Sequence, residues 1–116
     1  MHLHDNNPGL EAEKLAATYL ANRGLKFIVQ NYHCRFGEID LIMTDAEILV
    51  FIEVRLRTGN SFGDAAASIT PQKQQKIQLT AQHYLQQYRS PPPCRFDVIL
   101  MNKTEMQAIT WLKNAF

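Results

Sequence analysis

Three ionisable side chains lie inside two apolar runs of this chain, and any fold has to accommodate them. Residues 37–42 read G-E-I-D-L-I, and after a short turn residues 48–57 read I-L-V-F-I-E-V-R-L-R. Asp40, Glu53 and Arg55 therefore interrupt stretches that otherwise look like buried strands. A charge in such a setting is costly unless it is paired or holds a metal. Strand side chains alternate between faces, so Glu53 and Arg55 share one face while Ile52, Val54 and Leu56 take the other. A hairpin of residues 37–43 and 48–57, turning through 44–47, brings Asp40 close to Glu53. Two carboxylates and a cation converging on a sheet are the elements of a metal-assisted phosphodiester site. The plainer alternative is a hairpin face satisfied by ordinary salt bridges.

With 116 residues the chain is expected to form one domain, 1–116, with a single core. Its content of 46% hydrophobic and 20% charged residues is that of a globular protein. A formal net charge of +1 gives no global attraction to nucleic acid, so any basic surface has to be local. Cys34 and Cys94 form neither a CxxC pair nor a zinc spacing, and reduced thiols are expected. No apolar run approaches the roughly 20 residues of a membrane span, and no signal-peptide segment opens the chain. The expectation is a cytoplasmic protein with no membrane role. Residues 1–7 read as a flexible polar start, where a frayed end explains His2 and His4 more simply than a metal pair does.

A helix opens at Pro8 or Gly9 and ends near Arg23, with Gly24 as a left-handed stop. Leu10, Leu15, Ala16, Ala17, Tyr19 and Leu20 are its apolar and small positions. Glu13 shares the stripe of Ala16, Ala17 and Leu20, so it leans toward the packed side. Residues 25–32 carry a strand centred on Phe27, Ile28 and Val29. After the hairpin, T-G-N-S-F-G-D at 58–64 marks a loop. Phe62 there either stacks on a base or pins the loop to the core. Thr70 and Pro71 supply an N-cap and a first helical residue, and Ile77, Ala81, Tyr84, Leu85 and Tyr88 follow at helical spacing up to Ser90 and the prolines 91–93. Residues 96–101 and 106–111 read as two more strands. Tyr84, Tyr88 and Trp111 belong to the core rather than to a stacking platform, and Asp97 is expected to pair with an arginine of a neighbouring strand. The order is αβββαββ: an α/β fold, with a mixed β-sheet flanked by helices. The second helix is the crossover that sets residues 96–101 parallel to Ile48–Arg57.

G-E-I-D-L-I, V-F-I-E-V-R-L-R, the following F-G, T-P-Q-K at a helix start, the early E-K-L-A-A-T-Y-L and the late R-F-D-V resemble the YraN-like family of small bacterial proteins of uncharacterised function. The ordered set covers nearly the whole chain. That family is similar to the restriction-endonuclease-like superfamily and, within it, to archaeal Holliday-junction resolvases. The superfamily pattern is a Glu on the first helix, an Asp near a strand end, then Glu-x-Lys on the next strand. By position these roles fall on Glu13, Asp40, Glu53 and Arg55. Arginine at the lysine position is a departure, because a guanidinium keeps its proton and cannot act as a general base. It can still orient a water and neutralise phosphate charge.

The resemblance implies a nuclease-like domain in which Asp40, Glu53 and Glu13 hold Mg²⁺ or Mn²⁺. Arg55, Arg57, Lys73 and Lys76 would then face nucleic acid, DNA before RNA and branched or structured DNA among its forms. Lys73 is either a substitute ammonium or a solvated helix-face lysine, the second being the simpler reading. Glu38 reads as a surface acid more simply than as an outer partner of Asp40. The implied function is that of a metal-dependent endonuclease, and a homodimer is compatible with it. A non-catalytic nucleic-acid-binding or partner-binding protein that keeps the nuclease fold is the alternative. The intact acidic positions favour the first, and Arg55 and the near-neutral charge favour the second.

Overall fold

Alternation and helical spacing resolve into the expected order in a computed structural model, which describes residues 8–57, 69–102 and 108–116, with Pro8 and Arg57 by backbone alone. The elements are α1 (Pro8–Ala21), β1 (Lys26–Cys34), β2 (Gly37–Asp45), β3 (Ile48–Arg57), α2 (Pro71–Leu85), β4 (Cys94–Asn102) and β5 (Ile109–Leu112). The strands form one sheet in the order β1-β2-β3-β4-β5. β3 and β4 are parallel, from Leu49 beside Cys94 to Arg57 beside Asn102. The other neighbours are antiparallel, so the sheet is mixed, as the crossover by α2 requires. Among the described residues no helix is long and apolar enough to cross a membrane.

β3 is central, and Leu49, Val50, Phe51 and Ile52 are each at most 1% exposed. Its residues alternate between two layers. Leu49 and Phe51 join Ile42, Val98 and Leu100 beneath Ile77, Ala81 and Tyr84 of α2. Val50 and Ile52 join Leu41, Met43, Ile99 and Met101 beneath Ala12, Ala16 and Leu20 of α1. Small residues therefore make the packed face of α1, and Leu10 and Leu15, expected among its apolar positions, are exposed.

Local chemistry sets the helix limits. At the end of α1 the Leu25 N–H reaches the Leu20 carbonyl and the Gly24 N–H reaches that of Ala21, while Gly24 has φ +100°. This closing turn satisfies carbonyls that the helix leaves open, and glycine adopts its left-handed φ at little steric cost. α2 begins as expected, with Thr70 Oγ1 accepting the Lys73 N–H at 3.1 Å and Pro71 following the cap. It ends at Leu85, before the prolines, with Gln86 as its cap.

β1 forms where expected, and Phe27 is 53% exposed in it, because the strand lies at the sheet edge and its pairing with β2 shifts between Phe27 and Val29. One expectation is corrected. Asp97 pairs with Arg95 of its own strand, because two residues apart on a strand is the same face. The loop at 58–64 and residues 103–107 lie outside the described residues, and the last strand is observed as Ile109–Leu112.

Asp97 is completely buried and has four donors: Arg95 Nε and Nη2, Trp111 Nε1 and the Asn114 N–H, each at 2.9 Å. Arg95 also reaches Asp45 at 3.2 Å, so the network ties β4 to the end of β2, to β5 and to the chain end. Asp97→Ala leaves the arginine, the indole N–H and one backbone N–H without their acceptor. The expected loss is about 3–5 kcal/mol by urea denaturation; a loss below about 1 kcal/mol would show that the network does not hold these elements together.

A candidate carboxylate site where two strands part

The β2–β3 ladder runs from Asp45 opposite Ile48 to Leu41 opposite Ile52. One residue further, Asp40 Oδ2 accepts the Val54 N–H at 2.8 Å, a side chain serving the neighbouring strand's backbone. Strict alternation would put Ile39 with Leu41, yet Ile39 joins the layer under α2 together with Ile42. β2 therefore rotates at Asp40. On the other side, Asn31 of β1 has φ +58°, a left-handed conformation that asparagine tolerates better than most residues.

Glu53 follows Phe51 on the α2 side of β3 and is only 7% exposed. Lys73 Nζ lies 2.8 Å from its Oε2, and Arg55 Nη1 lies 3.6 Å from the same oxygen. Glu13, 8% exposed, comes from α1 and accepts a hydrogen bond from Gln30 Nε2 at 3.2 Å. Asp40 stands in the field of both glutamates, with the Glu53 carboxyl within hydrogen-bonding reach. Of the three acids singled out in the sequence, Asp40 and Glu53 are thus brought together, and Glu13 acts on Asp40 through its charge from the α1 side. The tight unit is the Asp40–Glu53 pair, and among the described residues no three acidic, histidine or cysteine groups stand close enough to enclose an ion.

Burial pushes the Asp40 carboxyl up to about 8, and the charge of Glu53 adds to this. The Val54 N–H opposes the rise, and Glu13 adds a smaller push upward. At neutral pH the Asp40 carboxyl therefore keeps its proton, beside a Glu53 oxygen that faces Lys73 and Arg55.

Lys73 is the clear departure from the simpler sequence reading. It is a partner of a buried carboxylate rather than a solvated lysine, although 43% of its side chain remains exposed. The signal was present in the sequence: Lys73, Ile77, Ala81 and Tyr84 follow in steps of four, four and three, which places the lysine on the packed stripe. Gln30 was not foreseen, because an edge-strand glutamine carries no motif. Lys76 and Lys73 line a cleft of about 370 Å³ with Gly37, Glu38, Thr70 and Gln72, above Ile77. Gly37 has φ +147°, a conformation that side-chain-bearing residues rarely adopt, and the β1–β2 turn here lies against Thr80 and Lys76 of α2. Tyr32 Oη and His83 Nδ1, 2.5 Å apart, fasten the same contact. Glu38 is an exposed acid at the cleft rim, consistent with its plainer reading. The Arg57 side chain, Phe62, His2 and His4 lie outside the described residues.

The raised Asp40 value has a defined consequence for stability. Its folded value is above its ordinary one of 3.8, so the folded chain holds a proton that the unfolded chain releases. The stability tied to this group is fully present below pH 3.8 and is lost as pH rises toward about 8. Asn resembles the protonated acid and cannot ionise. Asp40→Asn should match the parent below pH 3.8 and gain on it as pH rises, by more than about 1 kcal/mol between pH 5 and pH 8 in chelator-treated protein. Parallel stability curves for the two proteins from pH 5 to pH 8 would contradict this protonation.

Comparison with known proteins agrees with the sequence motifs. The model of the uncharacterised protein family UPF0102 matches residues 12–101, from within α1 to one residue short of the end of β4. A UPF0102 protein of Nitrosospira multiformis is 52% identical over 108 residues, 93% of this chain and 91% of the relative. One from Psychromonas ingrahamii is 51% identical over 111 residues, covering 96% and 90%. One from Nitrosomonas europaea is 47% identical over 110 residues, covering 95% and 93%. With the family model over most of its length and these relatives at about half identity, the chain belongs to the YraN-like family UPF0102.

Proposed function

We propose that this protein is a metal-dependent phosphodiesterase of restriction-endonuclease-like type that acts on DNA, with branched or structured DNA as its preferred form. The observation that carries the reading is the Asp40–Glu53 pair, two carboxylates brought together at the point where β2 leaves β3. The α-β-β-β-α-β order, with β3 and β4 parallel, supports the resemblance to that superfamily. Hard carboxylate oxygens suit Mg²⁺ or Mn²⁺, which need only one or two protein ligands and keep several waters. The pair fits such an ion on chemical grounds. Asp40 is costly as a free anion, and a cation beside it would relieve that cost. Asp40 and Glu53 would hold the ion, and Glu13 would reach it through water from the α1 side. Bound there, the ion would supply an activated water and neutralise charge on the phosphate.

The remaining roles belong to the chain itself. Val54 N–H orients the Asp40 carboxyl by its hydrogen bond. Arg55, on the Glu53 face, would stabilise charge developing on phosphate, a role that needs no proton transfer. Lys73 and Lys76 would take the DNA backbone along the cleft. The alternative, a binding protein without turnover, draws on the same ion pairs: Glu53 already faces two protein cations.

Cleavage of duplex, single-stranded and four-way-junction DNA with Mg²⁺ and Mn²⁺ tests the assignment. Turnover is expected to need the metal, and Asp40→Asn or Glu53→Gln should weaken Mn²⁺ binding at least about tenfold. Calorimetry at pH 7 in buffers of different ionisation enthalpy should show about one proton released per ion bound, and Asp40→Asn should abolish that release. Arg55→Lys should preserve or raise cleavage if arginine stands in for lysine, and lower it if the site is built around the planar guanidinium. Unchanged metal affinity and cleavage in both carboxylate variants would remove the nuclease assignment from these residues. DNA binding without cleavage by the parent protein would select the non-catalytic alternative.

A further inference from the structure

We infer that Lys73 is a built-in occupant of the Glu53 carboxylate, a tethered ammonium that yields its place to a divalent cation when a phosphodiester enters the cleft at the head of α2. The inference rests on the reading of Asp40 and Glu53 as the ligand pair. Lys73 Nζ is 2.8 Å from Glu53 Oε2, the length of a direct charge-assisted hydrogen bond. The carboxylate end of that pair is enclosed, with 8% of the Glu53 side chain exposed, whereas 43% of the Lys73 side chain is open. The same lysine forms part of the cleft wall with Thr70, Gln72 and Lys76. One ammonium thus adjoins both the carboxylate and the place where a phosphate would lie.

The backbone makes this exchange local. The Lys73 N–H is fixed to the Thr70 hydroxyl in the first turn of α2, so the main chain stays in place while the flexible four-carbon stem turns. Arg55, two residues from Glu53 on the same strand face, keeps the buried carboxylate compensated when the ammonium leaves. A divalent cation beside Glu53 repels the ammonium, and a phosphate in the cleft attracts it. Each ligand therefore removes part of the cost of binding the other, and linkage makes the coupling reciprocal. Without a phosphodiester the lysine competes with the cation, so the pair binds metal weakly until substrate is present.

Mn²⁺ binding to the full chain, followed by calorimetry and by the electron paramagnetic resonance of free Mn²⁺, reads this directly. The titrations are run with and without a short phosphorothioate duplex and corrected for Mn²⁺ held by the duplex alone. Lys73→Gln removes the charge and keeps a donor; Lys73→Arg keeps the charge and checks that side-chain replacement alone is tolerated. Without duplex, Lys73→Gln should bind Mn²⁺ about tenfold more tightly than the parent, and Lys73→Arg should not. The duplex should tighten Mn²⁺ binding at least about fivefold in the parent and leave Lys73→Gln nearly unaffected. Equal Mn²⁺ affinity of Lys73→Gln and the parent, or equal tightening by duplex in both, overturns the inference. If Asp40→Asn and Glu53→Gln lose Mn²⁺ while Lys73→Gln binds like the parent, only the role of Lys73 falls. If the carboxylate variants bind Mn²⁺ as the parent does, the ligand pair falls and the inference with it.

Discussion

The organisation of this protein depends on how a carboxylate is kept on the central strand of its sheet. Glu53 sits on β3 directly after a run of fully buried residues, and water is largely excluded from it. Such a group requires compensation from its surroundings. Arg55 supplies part of it from the same strand and Lys73 the rest from the crossover helix. That second partner lies on α2 because the parallel pairing of β3 with β4 carries the helix across this face of the sheet. The arrangement of β3, α2 and β4 and the electrostatics of the site are therefore one problem with one solution.

The two buried acidic centres follow opposite logic. Asp97 has a donor for each of its oxygens, an arginine fork among them, and it serves to join β4, β5 and the chain end. Asp40 has the Val54 N–H, and it faces two other acids. A satisfied carboxylate stabilises a fold, whereas carboxylates crowded together store unfavourable energy that a cation or a proton relieves. This contrast separates the structural acid from the candidate functional ones better than burial does, since Asp97, Glu53 and Glu13 are all buried.

Much of the frame was legible because short-range rules govern it. Gly24 at the end of α1 and Thr70-Pro71 at the start of α2 act within a few residues, and the observed caps follow. The apolar run of β4 and the I-L-V-F-I run of β3 announce strands covered on both sides, and covered parallel strands need a crossover between them. Phe27, Leu10 and Leu15 were less legible. An apolar residue at a sheet edge or on a helix flank reads like a core residue until the neighbouring elements are in place.

The sequence by itself determined which residues carry unusual chemistry: acids and an arginine within apolar strands, in an order shared with a family. It also determined that Asp40 and Glu53 are neighbours, because a two-strand hairpin with a short turn leaves little freedom of register. Only the tertiary structure decided what those residues meet. The rotation of β2 at Asp40, the approach of Glu13 with Gln30, and the closure of Lys73 on Glu53 join segments far apart in the chain. Local pattern specifies which face a side chain presents, but the partner on that face is set by packing across the sheet.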